Sequence, residues 1–413
     1  VAYGQESPDT ILNGAQNPSP CQPQDISDLI RKKGQPPKPL KAFNALIFPN
    51  VSSNPTNGFI LGAGAALGWY MGDPKTTSVS NANISIALTT KNQLISFIKP
   101  NIYSKDDRFF LQGDWRYYIY SAPTYGLGTN SPDSGSVSSQ VHWEGYGGPA
   151  DSIYFPMEYN YIKFHQVFSM RVKGDFYAGL GYHLDYYYSI KDIYLDYSLD
   201  PPLETPHHYH SSKYGFDTSG YTLSGLSVNF VYDTRDNMIN PYKGIYANMN
   251  FRYNETWLGS DQGSTQLWVE FRYYKGLSKR MPRNVIGFWL TGNFTTSGNL
   301  PYLTLPYLGD DQRARAGRAY TNGRYRGMNM IYAETEWRFP ISKCSQILGG
   351  VLFVNAVTAD APDKGQHLFD YIQPGFGFGI RLMVNKQFRT NINLDFAIGQ
   401  KSQGFYFSGQ ETF

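Results

Sequence analysis

The sequence predicts an all-β fold, a 16-stranded antiparallel transmembrane β-barrel over residues 41–413. Three observations carry this. First, the connections largely alternate in length. The odd gaps are long, at 51–57, 121–156, 193–219, 258–264, 300–326 and 359–371, with tight exceptions at 91–92 and 401–403. The even gaps are short, at 72–76, 105–107, 173–174, 236–243, 278–283, 342–344 and 386–388. Outer-membrane barrels have short periplasmic turns and long outer loops, so the long gaps are expected outside and both termini in the periplasm. Second, the strands alternate with period two. Ile331, Ala333, Trp337 and Phe339 oppose Tyr332, Glu334, Glu336 and Arg338; Ile392, Leu394, Phe396 and Ile398 oppose Asn391, Asn393 and Asp395. Such alternation separates a lipid face from a lumen face. Third, aromatics make up 16% of the chain, with 34 Tyr, while charged residues reach only 17%, below the usual quarter. Tyr and Trp suit a boundary that is apolar on one side and wet on the other.

No apolar run is long enough for a spanning helix, since Phe59 to Met71 is broken by Gly62, Gly64 and Gly68. A closed barrel is the other structure that satisfies every backbone group in lipid. A net charge of +3 is too weak to imply a nucleic-acid partner. The chain opens on Val1 rather than Met, as expected where a secretion signal has been removed.

Residues 1–40 form a separate periplasmic segment. Pro18, Ser19, Pro20 and Pro23 make a stiff polar lead. A short helix is expected near 25–33, with Asp25 as N-cap, Ile26, Leu29 and Ile30 as its stripe, and Gly34 as stop. It either frays as a linker or docks under the barrel mouth, because so short a helix is marginal alone. The strand count puts Cys344 in a periplasmic turn, and Cys21 lies in the periplasmic segment. In an oxidising compartment the pair predicts a disulfide pinning that segment, the alternative being two separate thiols.

Several motifs resemble, in series, the barrels of the BamA/TamA/FhaC superfamily, which builds or threads proteins through outer membranes. They are Phe43 to Asn50 followed by Ser53 to Gly58 and Leu61 to Gly64; Tyr125 to Gly128; and a mid-barrel turn, Tyr232 to Asn237 then Asn240 to Gly244, with Asp233, Arg235, Asp236, Pro241 and Gly244 as its signature. In the sixth outer loop Gly317, Arg318, Ala319 and Tyr320 resemble the family's Arg-Gly-aromatic signature, followed by Glu334 to Pro340. Ala319 replaces the signature's central Gly, and Asn355 stands where relatives place an Asp. Residues 1–40 are too short for a periplasmic POTRA module. The resemblance implies outer-membrane lipids and protein partners: periplasmic or lipoprotein subunits, or nascent outer-membrane proteins. It implies Arg318 reaching inward to pair with Glu336 as one dominant ion pair, with Asn355 adding a neutral hydrogen bond.

The loop's own residues bear on this. Arg313, Arg315, Arg318, Arg324 and Arg326 crowd one loop, which either waves in water or enters the pore. Glycines 375, 377 and 379 alternate with Phe376, Phe378 and Ile380, leaving room for another backbone inside. Glu334, Glu336 and Asp395 face the lumen and suit guanidinium partners. An inserted loop is therefore expected.

No enzyme signature is present: no Gly-x-Ser-x-Gly, no His-Glu-x-x-His and no phosphate loop. No cofactor and no metal site is expected. His207, His208 and His210 could chelate a metal, but a solvated loop accounts for them as well. Asp133, Asp151, Asp360, Asp363 and Asp370 match no calcium cage. The functions left are an insertase or translocase opening at the seam between first and last strands, a structural subunit of an envelope complex, and a gated diffusion channel.

Overall fold

The computed structural model describes residues 23–30, 42–54, 58–90, 92–131, 155–200, 202–312, 315–400, 402–409 and 411–413. One 16-stranded sheet runs in chain order with every neighbour antiparallel. Its strands are β1 (Phe43–Asn54), β2 (Gly58–Trp69), β3 (Ser80–Thr89), β4 (Leu94–Tyr103), β5 (Phe109–Thr124), β6 (Phe155–Lys173), β7 (Phe176–Asp192) and β8 (Gly220–Asp233). They continue as β9 (Gly244–Asn254), β10 (Ser264–Gly276), β11 (Val285–Gly298), β12 (Asn329–Pro340), β13 (Leu348–Ala359), β14 (Gln373–Asn385), β15 (Thr390–Gly399) and β16 (Ser402–Ser408). The longest connections, 125–154, 193–219 and 299–328, fall on one end as their lengths predict, but the first hairpin departs: β1 runs on to Asn54, so the expected long gap 51–57 shrinks to 55–57 while β2 and β3 are joined by 70–79.

The pleat sorts the faces. On β12 Met330, Tyr332, Glu334, Glu336 and Arg338 are buried, while Trp337 is exposed on the other side. On β14 Phe376, Phe378 and Ile380 point out, opposite the glycines. Lipid takes the outward column, and the lumen is filled with polar and charged side chains.

Two helices decorate the ends. The first, α1 (Ile26–Ile30), lies under the short turns. Asp25 and Asp28 cap it reciprocally, Asp28 N–H to Asp25 Oδ1 at 3.2 Å and Asp25 N–H to Asp28 Oδ2 at 3.1 Å. Lys386 N–H donates to Asp25 at 3.0 Å, and Gln24 N–H donates to Ser345 O at 2.7 Å, so the helix is docked. Leu29 of the expected stripe stays exposed. The second helix, α2 (Pro206–Tyr214), belongs to the 193–219 loop, capped by Thr205 and stopped by Gly215 at φ 73°.

The last strand departs from expectation. Phe413 shares the alternation of Phe405 and Phe407, but β16 ends at Ser408 and residues 411–413 are buried in the lumen. Glu411 accepts from Arg381 Nε at 2.8 Å and Asn391 Nδ2 at 2.6 Å. Phe413 is buried against Trp289, with centroids 5.4 Å apart. A carboxylate on the lipid face is costly, and buried Arg381 offers it a partner. Among the described residues β1 and β16 share no backbone ladder. They meet through side chains, with the Phe48 and Phe407 rings 6.5 Å apart.

Candidate functional site

The loop between β11 and β12, residues 299–328, enters the lumen. Arg318 Nη2 bonds both Glu334 and Glu336, the latter at 2.8 Å, and Nη1 bonds Asp395 Oδ2 at 2.8 Å. Its guanidinium plane stacks on the Phe353 ring, 3.5 Å from the centroid. The expected single pair with Glu336 therefore gives way to three carboxylates from β12 and β15. All three are at most 5% exposed, and one planar five-donor group can serve them at once.

Neighbouring arginines extend the network. Arg338 pairs with Glu336, and Arg381 pairs with both Asp395 and Glu411. Arg315 donates to Glu411 O at 2.5 Å. Three guanidiniums, those of Arg318, Arg338 and Arg381, thus meet four carboxylates, with Arg315 beside them on a backbone carbonyl, and this pairing makes their burial tolerable.

The backbone around Arg318 is held as firmly. Asn355 Nδ2 donates to Arg318 O at 3.0 Å, so Asn355 supplies a neutral bond to the main chain rather than to the guanidinium. Ala319 N–H donates to Tyr406 Oη at 2.9 Å, and Ser402 Oγ donates to Ala319 O at 2.6 Å. Tyr320 Oη donates to Pro374 O at 2.5 Å. Close approach depends on missing side chains. A Cβ on Gly375 would lie 2.6 Å from Asn355 Oδ1 and 3.1 Å from Arg318 O, and one on Gly399 would lie 2.5 Å from the Tyr320 ring. Gly317 has φ 90°, and Ala319, with φ 99°, occupies a conformation suited to glycine. Arg324 and Arg326 are also buried. Arg324 donates to Ser131 Oγ at 2.7 Å and Arg326 to Tyr302 O at 2.8 Å, while Gly128 N–H reaches Arg326 O at 2.7 Å. Arg313 lies outside the described residues.

The tip of the loop reaches the opposite wall, a contact the sequence reading missed. Arg116 Nη2 donates to Asp311 O at 3.2 Å, Lys163 meets Asp310 at 3.5 Å, and Gln312 Nε2 donates to Gly113 O at 2.8 Å. The inward column Asp114, Arg116 on β5 was the available signal. Between tip and wall remains a polar cavity of about 180 Å³ lined by His165, His183, Asn250 and Arg252 among others.

The mid-barrel turn braces the other end of the lumen. Arg235 grips Asp233 bidentately at 2.8 and 2.7 Å, and Tyr103 Oη donates to Asp233 at 2.8 Å. Asp236 accepts from Tyr242 N–H at 2.9 Å and pairs with Arg389 at 2.8 Å, joining this turn to the β14–β15 turn. Gly244 has φ 113° with no room for a side chain, and Pro241 O accepts from Arg338 at 3.4 Å. Arg338 therefore links the turn to the Arg318 network.

The solvated-loop reading fails for His207 and His210, while His208 stays partly exposed. His207 is buried and bonded through Nδ1 to Asp192 at 2.7 Å, and His210 is buried with Nε2 2.9 Å from Leu300 O. Burial lowers the pKa of His210 to about 4. Among the described residues no cluster of potential metal ligands forms. Asp133, Asp151 and Cys21 lie outside the described residues.

The Omp85 superfamily domain matches residues 80–413. A comparison with curated proteins finds no match. Among solved structures the chain is similar to BamA from Haemophilus ducreyi lacking POTRA domains 1-3, at 15% identity and TM-score 0.52, covering 90% of this chain and 71% of that one. It is similar to CdiB from Acinetobacter baumannii, at 14% identity and TM-score 0.50, covering 89% and 59%. It is also similar to CdiB from Escherichia coli, at 11% identity and TM-score 0.52, covering 91% and 62%. The chain thus spans less than two thirds of the length of either CdiB.

Proposed function

Since the chain belongs to the Omp85 superfamily, whose members are non-enzymatic barrels of the bacterial outer membrane serving protein assembly or secretion, we propose that it inserts or exports client proteins by opening between β1 and β16. Partner subunits supply client capture. The carrying observation is the contrast between centre and seam. The lumen is crossed by a loop bonded to both walls, whereas among the described residues β1 and β16 meet through side chains without a ladder. An unpaired strand edge is a template for an incoming strand.

The short-turn end carries docked α1 and faces the periplasm in this reading, which follows the usual placement of short turns. An epitope inserted after Asp200 should be reached by antibody on intact cells. Labelling only after lysis would reverse the topology.

A seam cross-link tests the function. Phe48→Cys with Phe407→Cys should form a disulfide that blocks client insertion into proteoliposomes until reductant is added. Insertion at the uncrosslinked rate would reject the seam. A structural subunit of an envelope complex is the second reading, favoured by the cross-braced lumen, and it predicts full assembly of that complex with the seam sealed. A diffusion channel would instead show steady single-channel conductance with the loop in place.

A further inference from the structure

The short-turn end is not uniformly charged. Elsewhere at this end cations lie near carboxylates: Arg235 has Asp233 at 2.7 Å, Arg389 has Asp236 at 2.8 Å, Lys386 has Asp28 at 2.8 Å and Arg171 has Asp107 at 3.2 Å, while Lys105, Lys173 and Lys243 lie on turns that carry Asp106, Asp175 and Asp236. One sector differs. No Asp or Glu occurs between residues 271 and 309 or between 337 and 359. The two turns within those stretches, 277–284 and 341–347, lie side by side. Gln346 Nε2 donates to Arg280 O at 3.5 Å, and Arg283 donates to Gln346 O and, at 3.3 Å, to Ile347 O. Around them Lys275, Lys279, Arg280 and Lys343 are exposed, and none makes an ion pair among the described residues.

Their depth is set by the strands. The outward column of β10 runs Phe271, Tyr273, Lys275, Leu277, all exposed, so a cation interrupts an apolar series at its lower end. On the neighbouring hairpin Trp337 and Ile341 are exposed at 44% and 48% just before Lys343. Apolar groups in the acyl region with long cationic chains beside them match the boundary where tails give way to headgroups.

We propose that this sector binds the headgroups of anionic phospholipid in the membrane leaflet it faces. Under the topology proposed above this is the periplasmic leaflet; the site itself does not depend on that orientation. The occupant is lipid rather than an acidic protein because the apolar column continuous with the cations is the barrel's own lipid face. Each cation near an anionic surface contributes about 1 kcal/mol, or about fivefold in affinity, and the attraction is screened by salt.

The test uses the full chain in nonionic detergent, offered phosphatidylglycerol and phosphatidylcholine, with retained lipids counted by native mass spectrometry. Wild type should retain phosphatidylglycerol preferentially. Lys279→Gln with Arg280→Gln should weaken that retention about 25-fold, two cations at about fivefold each, and leave phosphatidylcholine unchanged. Lys386→Gln, which removes a cation already paired, should have no effect, and heat-modifiable migration should confirm that all variants fold. Equal retention of both lipids by wild type, or an unchanged double variant, overturns the proposal. So does a polyglutamate peptide that binds the sector more tightly than the lipid. A reversed topology would appear in the epitope experiment and leave lipid retention intact.

Discussion

Arg318→Ala removes the guanidinium that joins three of the buried carboxylates, those of Glu334, Glu336 and Asp395. Glu336 keeps Arg338 and Asp395 keeps Arg381, but among the described residues Glu334 is left with Tyr332 Oη and Asn355 Nδ2 as donors. Truncating one partner of a desolvated pair costs about 3–5 kcal/mol. Loss of the Phe353 stack at 3.5 Å moves the expectation toward the upper end. About 4 kcal/mol shifts the ratio of inserted to released loop close to a thousandfold. The assay is the midpoint temperature of heat-modifiable migration, together with protease nicking within 299–328. Arg318→Lys should recover little, since an ammonium cannot fork between carboxylates while stacking on a ring. Adding Glu334→Gln to Arg318→Ala should recover part of the loss by removing the stranded charge. The half-exposed surface pair Lys213 with Asp363 provides the control, and Lys213→Ala should change the midpoint little. A wild-type midpoint for Arg318→Ala, with no response to Glu334→Gln, would refute the assignment.

Ala319→Gly should not destabilise despite losing a buried methyl, because release of the residue from φ 99° offsets about 1 kcal/mol of burial; a clear drop in the migration midpoint would contradict this. His210 folds with its pKa lowered to about 4 by burial, so its contribution to stability is full above about pH 6.5 and is lost as pH falls toward 4, about 3 kcal/mol in all. Protease nicking of the 193–219 loop should rise over that window, and His210→Gln should flatten the dependence. A Cys21–Cys344 disulfide is predicted from Gln24 bonding to Ser345 beside the turn, and such a long loop contributes roughly 5 kcal/mol in the chain-entropy view. Intact mass unchanged by alkylation without reductant supports it; two alkylated thiols exclude it.

What could be read in advance was periodic or local. The alternation of β12 and β15 placed Glu334, Glu336 and Asp395 on the inward face, and gap lengths separated the two ends of the sheet. The glycine series on β14 announced a close approach that Gly375 makes with the loop backbone. The failures share one cause, contacts remote in sequence. Asp311 meets Arg116 at a separation of 195 residues, and no local pattern on either strand names the other. His207 and His210 lie in a polar segment, yet Tyr302 and Leu300 of another loop bury them. The final strand carried a contrary signal in Glu411. It shares the parity of Phe405 and Phe407, and a carboxylate in that column would face hydrocarbon, so the chain must leave the column before reaching it.

The loop that spans the lumen also orders events in time. Its tip partners on β5 exist once the first third of the wall has formed, but the Arg318 charge is balanced only when β12 and then β15 are in place, with Asp395 arriving 77 residues later. Contacts this distant form late, after the closure entropy of the intervening chain has been spent. The crossbeam therefore gains its last carboxylate, Asp395, only from the next-to-last strand.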